Sequence, residues 1–314
     1  MSAHRTLGRL LPALVLCLTG CAGIPESASY LPNRNVAIEL TETPFFPQDD
    51  YQCGPAALAT VLNASGIEIS PEELVPKIYI PGKKGSLQVE LLAATRTSGR
   101  LPYRLDSSLA DIVGELEAGR PVVVLQNLGV SMIPRWHYAV VVGVNGMDKT
   151  VVLRSGVDQR RITPITLFLR TWARGDFWAM TVLRPGELPA NVDRQRYLAT
   201  VADLEQVGML EEAEVAWRAA LQQWPDNSLA RFGLGNTLLS LNRPSEAERI
   251  YRELIAARPD LVAVRNNLAM ALHRQGQDIE ALIEIDTALE QADNPKLYQE
   301  LLDSKRDIER SVLE

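Results

Sequence analysis

Gln48-Asp49-Asp50-Tyr51-Gln52-Cys53-Gly54-Pro55-Ala56-Ala57-Leu58 sets a thiol directly ahead of a helical run. Ala56, Ala57, Val61 and Leu62 recur at helical spacing, Pro55 suits a first turn, and Gly66 ends the run. A helix start leaves backbone N–H groups unpaired and carries the positive end of the dipole. Both favour a thiolate, which is the nucleophilic form, so the Cys53 thiol is expected to ionise below its ordinary pKa. Gly54 is expected to keep the approach to the sulfur open.

Downstream, Ser70-Pro71-Glu72-Glu73 is a capping box with Pro at the first helical position. Ser86 reads as the cap of a second helix ending at Gly99, and Asp106–Ser108 as the opening of a third ending at Gly119. The period then changes. Pro121–Leu125, His137–Val144 and Thr150–Leu153 are rich in Val and bounded by Gly, Pro and Asn, as strands are, and Phe177–Leu183 reads as a last strand. Asn145-Gly146 signals a hairpin turn, and a short helix is expected near Pro164–Trp172. Ile38–Thr43 is a short leading strand. Helices first and an antiparallel sheet after them imply an α+β domain, closed by Pro185, Gly186 and Pro189.

The rest of the chain repeats. Ala213, Ala247 and Ala281 are 34 residues apart, as are Trp217/Tyr251/Ile285, Leu204/Leu238/Leu272, Ala220/Leu254/Ala288 and Gly208/Asn242/Gly276. Small residues where helices approach, at this period, resemble the tetratricopeptide repeat. Three repeats (194–227, 228–261 and 262–295) and a capping helix are expected. Tyr197, Arg231 and Arg265 stand where that repeat usually begins with Trp.

The chain has 314 residues, is 46% hydrophobic and 23% charged, and carries a formal charge of −7. Residues 194–314 hold 14 basic and 21 acidic side chains, and residues 1–193 hold 18 of each, so neither part has the basic excess of a nucleic-acid binder. The start of the chain is a separate matter. His4, Arg5 and Arg9 precede the apolar run Leu10–Leu18, too short to span a bilayer, and then Leu18-Thr19-Gly20-Cys21. Small residues followed by Cys resemble the lipobox of bacterial lipoproteins. That implies a signal peptide over 1–20, lipidation at Cys21 and a tether over 21–37. It also implies an envelope location, at the periplasmic face of the outer membrane since Ala22 is not Asp. Of three cysteines, Cys53 alone then remains as a free thiol in an oxidising compartment.

His137 begins the strand Trp136-His137-Tyr138-Ala139-Val140-Val141-Val142. A thiol at a helix start with a histidine on a strand is the arrangement of papain-like thiol hydrolases. With Gln48 five residues before Cys53-Gly54, the stretch 40–185 resembles the C39 (bacteriocin-processing) peptidase domain. More narrowly, the chain resembles bacterial lipoproteins that join a C39-like domain to tetratricopeptide repeats. The resemblance implies an α+β papain-like cysteine peptidase domain over 38–188, followed by an all-α tetratricopeptide domain over 189–314. It implies Cys53 as nucleophile, His137 as general base and acid, and Gln48 as an amide donor to the oxyanion. The family's usual orienting Asp is missing: Arg154-Ser155 stands in its place, with Asp158, Asp148 and Asn145 nearby. Arg cannot accept the imidazole N–H, whereas Ser can. No cofactor, metal cluster or phosphate-binding loop is expected, and therefore no ATP site. The expected partners are a peptide or protein substrate, a protein held by the repeats, and a membrane through the lipid. Arg231, Asn236, Arg265 and Asn267, on first helices of repeats, suggest a basic, amide-rich groove. The rival class is a non-catalytic peptide-binding module of degenerate peptidase fold, which the missing carboxylate favours.

Overall fold

The computed structural model describes residues 26–29, 31, 35–47 and 52–313. The apolar run, Cys21 and Gln48 lie outside the described residues. After the one-turn helix α1 (Glu26–Ser29) come β1 (Ala37–Glu39), α2 (Cys53–Ala64), α3 (Pro71–Ile78), α4 (Gln88–Thr97), β2 (Leu101–Arg104) and α5 (Leu109–Glu117). Then follow β3 (Val122–Asn127), β4 (Trp136–Asn145), β5 (Thr150–Ser155), β6 (Asp158–Pro164), α6 (Ile165–Ala173) and β7 (Ala179–Leu183). The strands form one antiparallel sheet in the order β2-β7-β3-β4-β5-β6, with β1 paired to the far half of β4.

Strand alternation divides the sheet's side chains between two faces. Tyr138, Val140 and Val142 pack with Leu58, Val61 and Leu62 of α2. Ala139, Val141 and Leu153 pack on the other face with Ile112, Phe168 and Trp172. The capping box at Ser70 and Glu73 forms as read, with both reciprocal bonds present. Three local readings differ, the first being the leading strand, which is Ala37–Glu39 and not Ile38–Thr43. Asn145 pairs with Thr150, so the hairpin loop has four residues, and its left-handed residue is Lys149 (φ 54°) rather than Gly146. The Asn145 side chain instead closes the loop on Asp148. Helix α4 starts after Leu87, and the Ser86 hydroxyl caps nothing.

The repeats are six helices: α7 (Arg194–Gln206), α8 (Leu210–Gln223), α9 (Ser228–Ser240), α10 (Pro244–Ala257), α11 (Val262–His273) and α12 (Asp278–Gln291). A nineteen-residue helix, α13 (Pro295–Leu313), closes them and buries Leu301 and Ile308. All the aligned apolar columns are buried, and Gly208, Asn242 and Gly276 share positive φ at the turn inside each repeat. Asn242 adopts that region at modest cost, which explains its place in a glycine column.

The two parts share one contiguous core: Tyr197, Leu198 and Val201 of α7 join Leu101 and Tyr103 of β2. The connection between them is held down as well. Buried Glu115 accepts the Ala190 N–H (2.6 Å) and Arg120 Nε (2.6 Å), Asp111 accepts from Asn191 (2.9 Å), and Tyr103 accepts the Asp193 N–H (2.9 Å). Among the described residues no helix is long and apolar enough to cross a membrane.

Candidate active site

Helix α2 begins at Cys53, and Gln52 before it makes no side-chain cap. The half-buried sulfur therefore has backbone partners: the N–H groups of Tyr138, Gly54 and Cys53 itself act on it. They do so as expected for a helix start, favouring the thiolate. Burial acts the other way and is larger, so the thiol sits above its ordinary pKa, not below it. The expected lowering by the helix start is thus corrected.

Gly54 has a different reason from the one the sequence suggests. A side chain there would overlap Ser86 Oγ and lie 2.6 Å from Ser86 Cβ. The missing Cβ makes room for the segment before α4, not for a ligand. Ser86 in turn offers its carbonyl to the Tyr138 hydroxyl at 3.3 Å, and the Tyr138 ring meets Trp178 edge-on at 5.8 Å. The start of α2 is thereby wedged against the first residues of β4.

His137 lies at the same end of β4. Its Nε2 is 2.8 Å from Ser155 Oγ, and Ser155 is buried. Ser155, not Arg154, faces the imidazole. The neighbours on β5 point to opposite faces, and Arg154 donates instead to the carbonyls of Thr41 (3.0 Å), Thr43 (3.2 Å) and Gln159 (2.5 Å). It thus clamps the segment leading to the Cys53 helix. The displaced candidates are engaged elsewhere: Asp158 with Arg161 at 3.6 Å, and Asp148 with Asn145 at the far end of β4.

Burial, then the guanidinium groups of Arg161 and Arg135, pull His137 down to about 4. Thiol and imidazole are therefore both neutral near pH 7. Among the described residues no hydrogen bond joins the sulfur to the ring. The backbone links their elements: Tyr138, whose N–H acts on the sulfur, directly follows His137 in β4, and Ser155 occupies the distal ring nitrogen. Nε2 is thereby taken, and Nδ1 is the ring nitrogen left without a hydrogen-bond partner among the described residues.

The suggested groove of the repeats is altered by pairing. Arg265 meets Glu284 of α12 at 2.7 Å, and Arg231 donates to the Pro225 carbonyl. Asn236 Oδ1 accepts from Tyr251 (2.9 Å) and Asn267 (2.7 Å). The amides are spent on holding the helices together, and one of the two arginines is neutralised, so these residues do not form a basic groove. His273, outside the site, pairs with Asp278.

Residues 40–175 match the Peptidase_C39 like family, and residues 204–263 and 234–295 match two tetratricopeptide repeat families. Among solved structures, the chain is similar to a Bacillus anthracis protein described as a C39-like peptidase (16% identity, 48% of this chain and 98% of that one, TM-score 0.41). It is similar to the peptidase domain of Streptococcus ComA, a bi-functional ABC transporter of a quorum sensing pathway (18% identity, 45% and 98%, TM-score 0.37). It is also similar to the Yersinia enterocolitica type III secretion translocator chaperone SycD (17% identity, 40% and 90%, TM-score 0.36). No curated protein matches the chain.

Proposed function

We propose that this chain, with a C39-like peptidase domain joined to tetratricopeptide repeats, is an envelope-anchored cysteine peptidase. The observation that carries the reading is the held imidazole: Nε2 on Ser155 at 2.8 Å, beside the strand N–H that meets the Cys53 sulfur. Cys53 and His137 are the catalytic pair, and Ser155 is a positioning residue. The thiol proton passes to His137 Nδ1 as sulfur attacks the peptide carbonyl. The tetrahedral oxyanion is met by the Cys53 N–H and by the side-chain amide of Gln48. Imidazolium then protonates the leaving amine as the C–N bond breaks, giving a thioester that water hydrolyses with His137 as base. Because both groups start neutral, the proton moves during attack and not before it. A peptide-based thiol-directed probe followed by mass spectrometry tests this: a Cys53 adduct absent from Cys53→Ala is expected, and its absence from the native chain sinks the reading.

Anchoring at Cys21 and recruitment of a protein by the repeats complete the proposal. Globomycin should make the unprocessed form accumulate, and Cys21→Ser should release the protein from membranes. A mature form that stays soluble and unchanged removes the anchor. The second reading, a non-catalytic peptide-binding module, is favoured by one observation: the raised thiol and lowered imidazole leave no standing ion pair.

A further inference from the structure

β3 ends at Asn127, β4 starts at Trp136, and β5 turns at Gly156-Val157 into β6, all at one end of the sheet. Cys53, His137 and Ser155 are at that same end. The two hairpin tips there are apolar and exposed: Val130, Met132 (93% exposed), Ile133 (76%) and Trp136 on the first, Val157 (75%) on the second. Exposed apolar residues scattered singly mean little, but a group around a candidate site marks an interaction surface.

The first tip is built, not loose. Asn127 Oδ1 accepts the N–H groups of Gly129 (2.9 Å) and Arg135 (2.8 Å). Leu128 N–H donates to the Arg135 carbonyl (2.9 Å), and Ile133 N–H to Val130 (3.1 Å). Arg174, just past the end of α6, grips the Asn127 carbonyl (2.8 Å). A hairpin whose backbone is already braced loses little backbone freedom when something covers it, which favours binding.

We infer that this rim is a substrate subsite, taking an extended peptide with an apolar residue and an acidic neighbour beside the bond presented to Cys53. The inference rests on the peptidase reading and adds the substrate class to it. Continuity identifies the occupant: Trp136 adjoins His137 in sequence, and Val157 follows Ser155 by two residues. Charge complementarity supplies the acid: Arg135, exposed on the first tip between Ile133 and Trp136, makes no ion pair among the described residues. A bilayer is the lesser candidate. Ala37 pairs with Asn145 at the opposite end of β4, so the chain enters the sheet away from the rim.

The test uses the full chain carrying Cys53→Ala, immobilised, and a positional-scanning decapeptide library. Retained peptides should be enriched in Leu, Ile, Val or Phe with Asp or Glu next to them. Met132→Ser with Ile133→Ser should weaken retention about tenfold or more, with unchanged thermal unfolding because both side chains are already solvent-exposed. No enrichment, equal retention by the double variant, or binding only to phosphatidylglycerol vesicles overturns the subsite. The outcome for the peptidase reading is read separately, from cleavage of retained peptides by the native chain. Binding without cleavage removes the peptidase and keeps the rim, whereas cleavage indifferent to both tip substitutions removes the rim and keeps the peptidase.

Discussion

Ser155 Oγ stands 2.8 Å from His137 Nε2, a neutral hydroxyl where the family resemblance leads one to expect a carboxylate. A hydroxyl holds the ring in place without favouring its protonation. That separates two effects which a carboxylate exerts together, and each can be measured.

Ser155→Ala should free the ring and slow turnover about tenfold, the weight of one ordinary hydrogen bond, with KM little changed. Ser155→Asp should raise the His137 pKa from about 4 towards the ordinary histidine range, read by the imidazole proton shifts in NMR. An unmoved His137 resonance in Ser155→Asp would show that the contact does not orient the ring.

Iodoacetamide should label native Cys53 more slowly than free cysteine at pH 6, and labelling should climb only in the alkaline range. The cause is burial, which outweighs the three backbone N–H groups. Rapid labelling at pH 6 would mean that the thiol is ionised in the folded protein.

Acid stability gives an independent reading of His137. Its folded pKa, about 4, lies below the ordinary value of about 6.5, so the unfolded chain binds more protons between those limits. Stability contributed by the neutral ring is complete above pH 6.5 and lost as the pH falls towards 4, by about 3 kcal/mol at most. His137→Gln should flatten that part of a denaturation-against-pH curve, leaving the stability above pH 7 comparatively unchanged.

Gly54→Ala should destabilise the fold by about 1–3 kcal/mol, as overpacking does, because its Cβ would lie 2.6 Å from Ser86 Cβ. Ser86→Gly in the same chain should recover most of the loss in a urea titration. If the double variant is no better than the single one, the strain lies elsewhere.

Glu115 bears on the attachment of the repeats. Glu115→Ala leaves the Ala190 N–H and Arg120 without their acceptor, at a cost of about 3 kcal/mol. Limited proteolysis should then cut within 184–193, where the native chain resists.

The repeats were the most legible part of the sequence, because their buried columns recur at a fixed interval and each helix pair depends only on its neighbours. Strands β3, β4 and β5 announced themselves by Val runs. β6 did not: Asp158-Gln159-Arg160-Arg161 is an exposed edge with no apolar alternation, so its polarity hides it. β2 was masked by Pro102. Cys53 and His137 could be picked out by residue type and context, but the choice between Arg154 and Ser155 could not. Adjacent residues on a strand face opposite ways, and irregular pairing of β5 with both neighbours decides which faces the ring. The thiol's pKa is hidden from the sequence for a related reason. The helix start is local and visible in sequence, whereas the burial that outweighs it is supplied by distant segments.

Helix α7 lies against β2, the outermost strand on one side of the sheet, and shares its core. A sheet margin left bare offers unpaired backbone groups to any passing strand, so proteins shield such margins. Arg196 of the first repeat helix donates to the Arg104 carbonyl at this margin (3.0 Å), and β2 in return buries the apolar face of α7. Neither half is therefore a free-standing module. A chain cut before residue 194 would expose a new adhesive border and tend to self-associate, while the repeats alone would lack the surface that ends their stack.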